Sequence, residues 1–295
     1  MHASIDKCVT DDIGLGGLNM SLRSGFGSNR PETRFIVSVI LLLFCAVPAH
    51  ATDYVFRIEP AYPPARLMQI YAPLMTYLDK STGQHFVLKP ARNYNDYWRT
   101  LQNKTKTDFA FDDAHLTDYR IQHNKFDPVA RIAGSTGYTL VTNIDIGNKG
   151  LRGLLLHRVV TMSAPSLGYS LLLKFYPNPV AEPRIKTTAT SWRDAVDRVF
   201  AGEAEAAMIP NWLRDQYPNL TPVKSSPEFP GQCVSASPEV PADVRDKVKK
   251  ALLGLDSDPD AAKLLLNLGI KKFVSTTASE YAGDEKLLKT SLGYK

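Results

Sequence analysis

The side chains best placed to do chemistry cluster in Thr107–Tyr119 (TDFAFDDAHLTDY), where Asp112, Asp113 and His115 fall together. Paired carboxylates beside an imidazole suit acid–base work, metal ligation or plain hydrogen-bond acceptance. A metal cage draws on more ligands than one short loop supplies, so no metal is expected here. Past residue 51 the histidines are His85, His115, His123 and His157, and none stands in an H-E-x-x-H pattern. Cys8 and Cys45 lie in the first 51 residues, leaving Cys233 alone beyond them. That excludes an intramolecular disulfide and a cysteine-based zinc site in the rest of the chain. The sequence holds no G-x-S-x-G elbow and no phosphate-cradling GxxxxGK[ST] or GxGxxG loop. Neither an enzyme nor a cofactor is expected.

The elements that must position this cluster read as follows. Phe109–Phe111 is an apolar run long enough for a buried strand, and the two acids end it. Asp113 is expected to cap a helix starting at Ala114, its carboxylate accepting from free backbone N–H groups. Asp112, last in the strand, should alternate away from Phe111 toward the mouth of a cleft and accept a hydrogen bond from a ligand. A buried strand that opens onto a helix N-terminus is where open α/β sheets hold their ligands. Upstream, Tyr54–Ile58 reads as a strand, the proline-rich Glu59–Pro64 as a rigid turn, and Arg66 onward as a helix stopped by Gly83. Phe86–Leu88 is a strand. Asn93 caps a helix whose Tyr94, Tyr97, Trp98 and Leu101 share one face, expected to be core.

Downstream, Pro128–Ala133, Tyr138–Asn143 and Val159–Met162 are extended. Ser163–Tyr169 is a loop opening onto a helix, and Ser191 caps a helix through Phe200. The strand Ala206–Ile209 opens onto a helix at Pro210-Asn211-Trp212, repeating the first motif. Cys233–Ala236 reads as the last strand. Helices are expected over Val244–Leu255, Ala261–Leu268 and Ala278–Leu292. Strand and helix alternate, so the fold class is α/β with largely parallel sheets.

The first stretch is a targeting signal. Arg30 and Arg34 precede the apolar run Phe35–Val47 (FIVSVILLLFCAV), and Ala49-His50-Ala51 offers small residues where a signal peptidase cuts. Cleavage after Ala51 and a periplasmic address are expected. The net charge of +5 is spread without a basic block, so nucleic acid is not an expected partner.

A secreted two-lobe α/β chain with no catalytic set suggests a solute-binding protein. Glu59-Pro-Ala-Tyr-Pro-Pro-Ala-Arg, followed by Leu67-Met-Gln-Ile-Tyr-Ala-Pro-Leu, resembles the opening of the phosphate/phosphite/phosphonate family of periplasmic ABC-transporter binding proteins. Asp108-Phe-Ala-Phe-Asp-Asp-Ala-His is similar to that family's cleft strand, and Val159–Tyr169 to its ligand loop. Gly202-Glu-Ala-Glu-Ala-Ala-Met-Ile-Pro-Asn resembles the second cleft strand, and Ser226-Pro-Glu-Phe-Pro-Gly the return crossing. The resemblance implies a two-lobe periplasmic-binding-protein fold of type 2, closing on its ligand about two hinge crossovers. Lobe one would be 52–141 plus 235–295 and lobe two 142–234.

It also implies an interlobe site, here expected from Tyr62, Asp112, Asp113, His115, Ser166, Leu167, Tyr169, Asn211 and Trp212. The departures fall on the family's anion site. Its hydroxyl-rich run becomes Pro165-Ser166-Leu167-Gly168, and Asp112 stands where a phosphonate binder has a tyrosine. A carboxylate facing a dianion repels it where screening is weak. Phosphate and phosphonate are therefore not the expected ligands. A ligand with hydroxyl or amine donors and an apolar or ring body fits better. A lipid such as a sterol is the alternative, with Leu167 and Met208 as its motive. Expected partners are that ligand and an inner-membrane ABC permease, or else another membrane partner if the chain is a sensor or carrier. The chain is expected to be a monomer.

Overall fold

The computed structural model describes residues 53–294 except 260. The expected signal peptide and its cut after Ala51 lie outside the described residues. In chain order the elements are β1 (Asp53–Ile58), α1 (Pro64–Thr82), β2 (His85–Leu88), α2 (Tyr94–Gln102), β3 (Phe109–Asp112), α3 (Ala114–Asn124) and β4 (Asp127–Ile132). They continue with β5 (Ser135–Thr136), β6 (Tyr138–Thr142), β7 (Arg158–Met162), α4 (Leu167–Phe175), β8 (Arg184–Ala189), α5 (Trp192–Phe200), β9 (Ala206–Pro210), α6 (Asn211–Arg214), β10 (Thr221–Ser225) and β11 (Phe229–Pro230). The rest are β12 (Cys233–Ala236), α7 (Ala242–Leu253), α8 (Ala262–Leu268) and β13 (Phe273–Val274). Among the described residues no helix is long and apolar enough to cross a membrane.

Two sheets carry the two lobes. The first runs β13-β4-β12-β3-β1-β2 and the second β10-β6-β9-β7-β8. In the first, β1 to β4 share one direction, and β12 and β13 oppose it. In the second, β6 alone opposes β7 to β10. The strands β6 and β12 follow the two crossings, and each inserts antiparallel into the sheet it enters. Between the sheets β5 and β11 pair as a short ribbon. The crossings therefore lie nearer that ribbon than the sequence places them. Tyr138–Val141, expected in lobe one, pair with β9 and β10. Cys233 and Val234, expected in lobe two, pair with β3 and β4.

Local signals set the helix ends that frame the cleft. The Asn93 side chain accepts from Asp96 N at 3.0 Å to start α2, and Ser191 accepts from Asp194 N at 3.0 Å to start α5. Gly83 ends α1 at φ 69°, a conformation that costs a side-chain-bearing residue energy. One core packs α1, α7 and α8 on the first sheet around Phe56, Leu74, Phe111 and Val248. The other fills lobe two and reaches Tyr97, Leu116 and Tyr281 of lobe one. The expected helix over Ala278–Leu292 is instead two 3₁₀ turns, Ala278–Tyr281 and Asp284–Leu288. Gly283 at φ 97° breaks the run, and Asp118 of α3 accepts from the backbone of Gly283 (2.8 Å) and Glu285 (3.0 Å). A helix N–H turned to that carboxylate is lost to an intrahelical bond.

Candidate functional site

The end of β3 is built as the sequence suggests, but its two acids exchange roles. All four β3 residues are buried, so both faces of the strand are covered and alternation alone does not aim Asp112 at a cleft. The Asp112 carboxylate turns into the lobe. It accepts from Arg120 Nε at 2.6 Å and from the Tyr97 hydroxyl, which also takes Arg120 Nη2 at 3.0 Å. Arg120 is 2% exposed and lies 5.5 Å above the Tyr97 ring centroid and 5.1 Å above that of Phe126. This is a closed ion pair with its remaining valences satisfied, the condition under which a buried pair is tolerated. The expectation that Asp112 accepts from a ligand is corrected accordingly.

Asp113 holds the N-cap backbone position of α3 but makes no side-chain cap bond. Its carboxylate instead takes the Tyr138 hydroxyl at 3.0 Å, reaching the first strand of lobe two. Its backbone N–H goes to Glu59 Oε2 at 3.0 Å, which ties the start of α3 to the end of β1. Glu59 Oε1 accepts from Gln232 Nε2 at 2.6 Å, on the return crossing. Each carboxyl shifts the other's pKa. Glu59 and Asp113 are each 2% exposed, and among the described residues neither forms an ion pair with a cation.

Burial pushes both groups up. Asp113 rises to about 6, held from going further by the bonds from Tyr138, Glu59 and Gln232. Glu59 goes well above the usual carboxylate range, from burial first and then from the charges of Asp113 and Asp112. Each group therefore holds its proton to a higher pH than a solvated acid does. Tyr94, wholly buried, leaves its hydroxyl without a partner. Burial first, and then the charges of Glu59 and Asp113, raise its pKa well above the usual value.

His115 also crosses between the lobes. Its Nε2 lies 2.8 Å from Pro165 O, so the ring donates there and leaves Nδ1 bare and unpartnered. Burial depresses its pKa to about 4, and the ring is neutral. Ser166 caps α4 by accepting from Tyr169 N at 3.2 Å, so the surviving hydroxyl of that loop is already engaged. Leu167 is wholly buried in the lobe-two core, and so is Met208. Tyr169 is half-buried on the first turn of α4. Asn211 is held within its own neighbourhood, taking Thr139 Oγ1 at 2.7 Å and donating to Glu228 at 3.0 Å. Tyr62 and Trp212 meet across the cleft, lining one small cavity.

Two cavities lie between the lobes near the ends of β1 and α5. One, about 380 Å³, is lined by Pro60 and Tyr94 of lobe one and by Met162, Ser163 and Thr187–Thr190 of lobe two. The other, about 220 Å³, is lined by Tyr62, Arg66, Trp192, Arg193 and Trp212. Trp192 packs edge-on to Tyr138 with centroids 5.3 Å apart, and the Tyr138 hydroxyl donates to Asp113. A side chain at Gly168 would put its Cβ 2.8 Å from the Trp192 ring, so only glycine lets α4 approach this closely. No group of three or more His, Cys, Asp or Glu arranged for a metal ion occurs among the described residues.

Residues 56–281 match the family model of ABC-transporter phosphonate periplasmic substrate-binding proteins. The chain belongs to this family. Its members are periplasmic substrate-binding components, not enzymes, and work with an inner-membrane ABC permease. No curated protein matches the sequence. Among solved structures, PhnD1 from Prochlorococcus marinus in complex with methylphosphonate is 15% identical, with a TM-score of 0.68 over 81% of this chain and 98% of that one. A binding-protein component of an ABC phosphonate transporter from Pseudomonas aeruginosa gives 15% identity and 0.68 over 80% and 85%. A Xanthomonas citri protein bound to ATP gives 13% identity and 0.64 over 80% and 95%. These likenesses bear out the two-lobe α/β fold of type 2.

Glu59, Tyr94, Tyr138, Trp192 and Gln232 were not expected at the site. One signal was available for Glu59: a carboxylate directly after an alternating strand and before Pro60 takes the same position relative to β1 that Asp113 takes relative to β3.

Proposed function

We propose that this protein captures, between its lobes, a small ligand offering hydrogen-bond donors or a positive charge, and hands it to an ABC permease. The observation that carries this reading is the buried Glu59–Asp113 pair without a cationic partner, bonded across the lobes by the Tyr138 hydroxyl. A bound donor would satisfy groups that are costly to leave bare. A phosphonate dianion would add negative charge to the acids, and the Ser166 hydroxyl is already engaged as a helix cap. The bond from Tyr138 to Asp113 and that from His115 to Pro165 O tie ligand capture to hinge closure. Export with cleavage after Ala51 and a monomeric state belong to the same reading. A lipid carrier has no observation in its favour, since Leu167 and Met208 serve the core.

Calorimetry at low salt, where screening is least, tests the ligand class. Phosphate, phosphite and methylphosphonate should bind more weakly than about 1 mM. Micromolar binding of any of them overturns the reading. Native mass spectrometry of protein purified from its own periplasm should release a small solute bearing an amine or several hydroxyls.

A further inference from the structure

A third cavity, about 670 Å³, is larger than either of the two above and shares no lining residue with them. That volume is enough to enclose a small molecule. Its apolar wall is Leu173, Tyr176, Pro177 and Pro179 of lobe two, Phe229 of the ribbon and Leu287 of the last 3₁₀ turn of lobe one. The Tyr176 ring is fixed by its hydroxyl, which donates to Leu151 O at 3.0 Å. Two half-buried carboxylates also line the cavity, Glu182 from lobe two and Asp284 from lobe one. Among the described residues neither side chain accepts a hydrogen bond or forms an ion pair. Asp118 of α3, wholly buried, accepts from the backbone of Gly283 and Glu285 and has no cation either. Burial and then the charge of Asp118 push the Asp284 pKa up to about 6, against the pull of Lys174. Lys174 and Lys286 complete the charged lining, but both are exposed, where solvent and salt screen them. The enclosed part of the cavity is therefore apolar with unmet negative charge.

We propose that this cavity is a second ligand site, taking a small primary amine with an apolar or aromatic body. The ammonium meets Asp284 and Glu182, and the body lies along Tyr176, Phe229 and Leu287. A carboxylate half out of water gains more from a cation than an exposed one does. Both lobes and the ribbon supply walls, so an occupant binds this arrangement of the lobes in preference to one that separates them. The site uses none of the residues proposed for the cleft ligand and does not depend on that reading.

The test compares 2-phenylethylamine with 2-phenylethanol and 3-phenylpropionate by calorimetry on the purified protein at low salt and pH 8, where Asp284 is ionised. The amine should bind with a Kd below about 1 mM, and the alcohol and the acid about tenfold or more weakly, as for losing a charged hydrogen bond. Asp284→Asn should weaken the amine about tenfold and leave the alcohol within about twofold, and Glu182→Gln should act in the same direction by less. Both side chains are half-buried and unbonded, so these variants are expected to fold as the wild type does. Failure of the amine to bind, an acid that binds as tightly as the amine, or an amine affinity unchanged by Asp284→Asn overturns the site. If Asp113→Asn weakens the amine and Asp284→Asn does not, the second site falls and the donor-ligand reading of the cleft stands. If methylphosphonate binds at micromolar concentration and Asp284→Asn still weakens the amine, the cleft reading falls and the second site stands.

Discussion

Asp112 and Asp113 are adjacent, both fully enclosed, and opposite in kind. Asp112 has a guanidinium and a phenol locked onto it from within its own lobe. Asp113 has a tyrosine from the other lobe, a second acid, and no cation. The first arrangement is electrically complete and stabilises one conformation. The second has no cation and takes one of its bonds from the other lobe. A buried charge whose valences are all met inside the fold is a structural feature. A buried charge with bonds still to be made is better evidence of a site.

The largest effect should come from breaking the closed knot. Arg120→Met strands Asp112 without its partner and is expected to cost about 3–5 kcal/mol of stability. Asp112→Asn leaves Arg120 charged and unpaired, with a loss on the same scale. Urea unfolding at pH 7 measures both. Any variant protein that stays folded should retain ligand binding, because neither side chain touches the cleft.

His115 separates the two regions by pH. Its folded pKa of about 4 lies below the unfolded value of 6.5, so it contributes stability that is present above pH 6.5 and lost as pH falls toward 4. The full difference is about 3 kcal/mol. His115→Gln keeps a donor for Pro165 O and removes the titration. Relative to wild type it should gain stability at pH 4.5 compared with pH 7.5. A constant difference across that range would show the ring is not held neutral.

Smaller effects should appear in binding. Asp113→Asn should weaken a cationic or amine ligand by about ten- to a hundredfold, read by calorimetry with whatever solute is extracted from the native protein. Smallest of all, Gly168→Ala pushes on Trp192 within lobe two and should cost about 1–2 kcal/mol of stability, read by urea unfolding.

Much of the scaffold was legible because its signals are local. The alternation of strands and helices, the Asn93 and Ser191 caps and the Gly83 stop depend on neighbours a few positions away. The site was only half legible because its bonds are not local. Glu59 reaches Asp113 across 54 positions and Gln232 across 173, and no periodicity carries that information. Asp112 was misaimed because alternation distinguishes faces only when one of them is exposed, and β3 has none. The sequence reads Asp113 as the cap of α3 because it does not show that Tyr138, 25 positions on, claims the carboxylate. The C-terminal stretch failed for a similar reason: Asp118 claims its backbone from another helix.

The central claim is that Asp113 lies in an uncompensated, proton-holding pair while Asp112 does not. Its most direct test needs no ligand. Unfolding free energies of the ligand-free wild type and Asp113→Asn should be compared from pH 4 to pH 7.5. Asp113 has a folded pKa of about 6, raised from 3.8. The wild-type folded state therefore binds the extra proton, and the stability this brings is complete below about pH 4 and lost as pH rises through 6. Wild type should lose about 3 kcal/mol relative to Asp113→Asn over that interval, with the His115 contribution cancelling between the two proteins. A gap that stays constant, or that moves in favour of wild type as pH rises, would contradict the account.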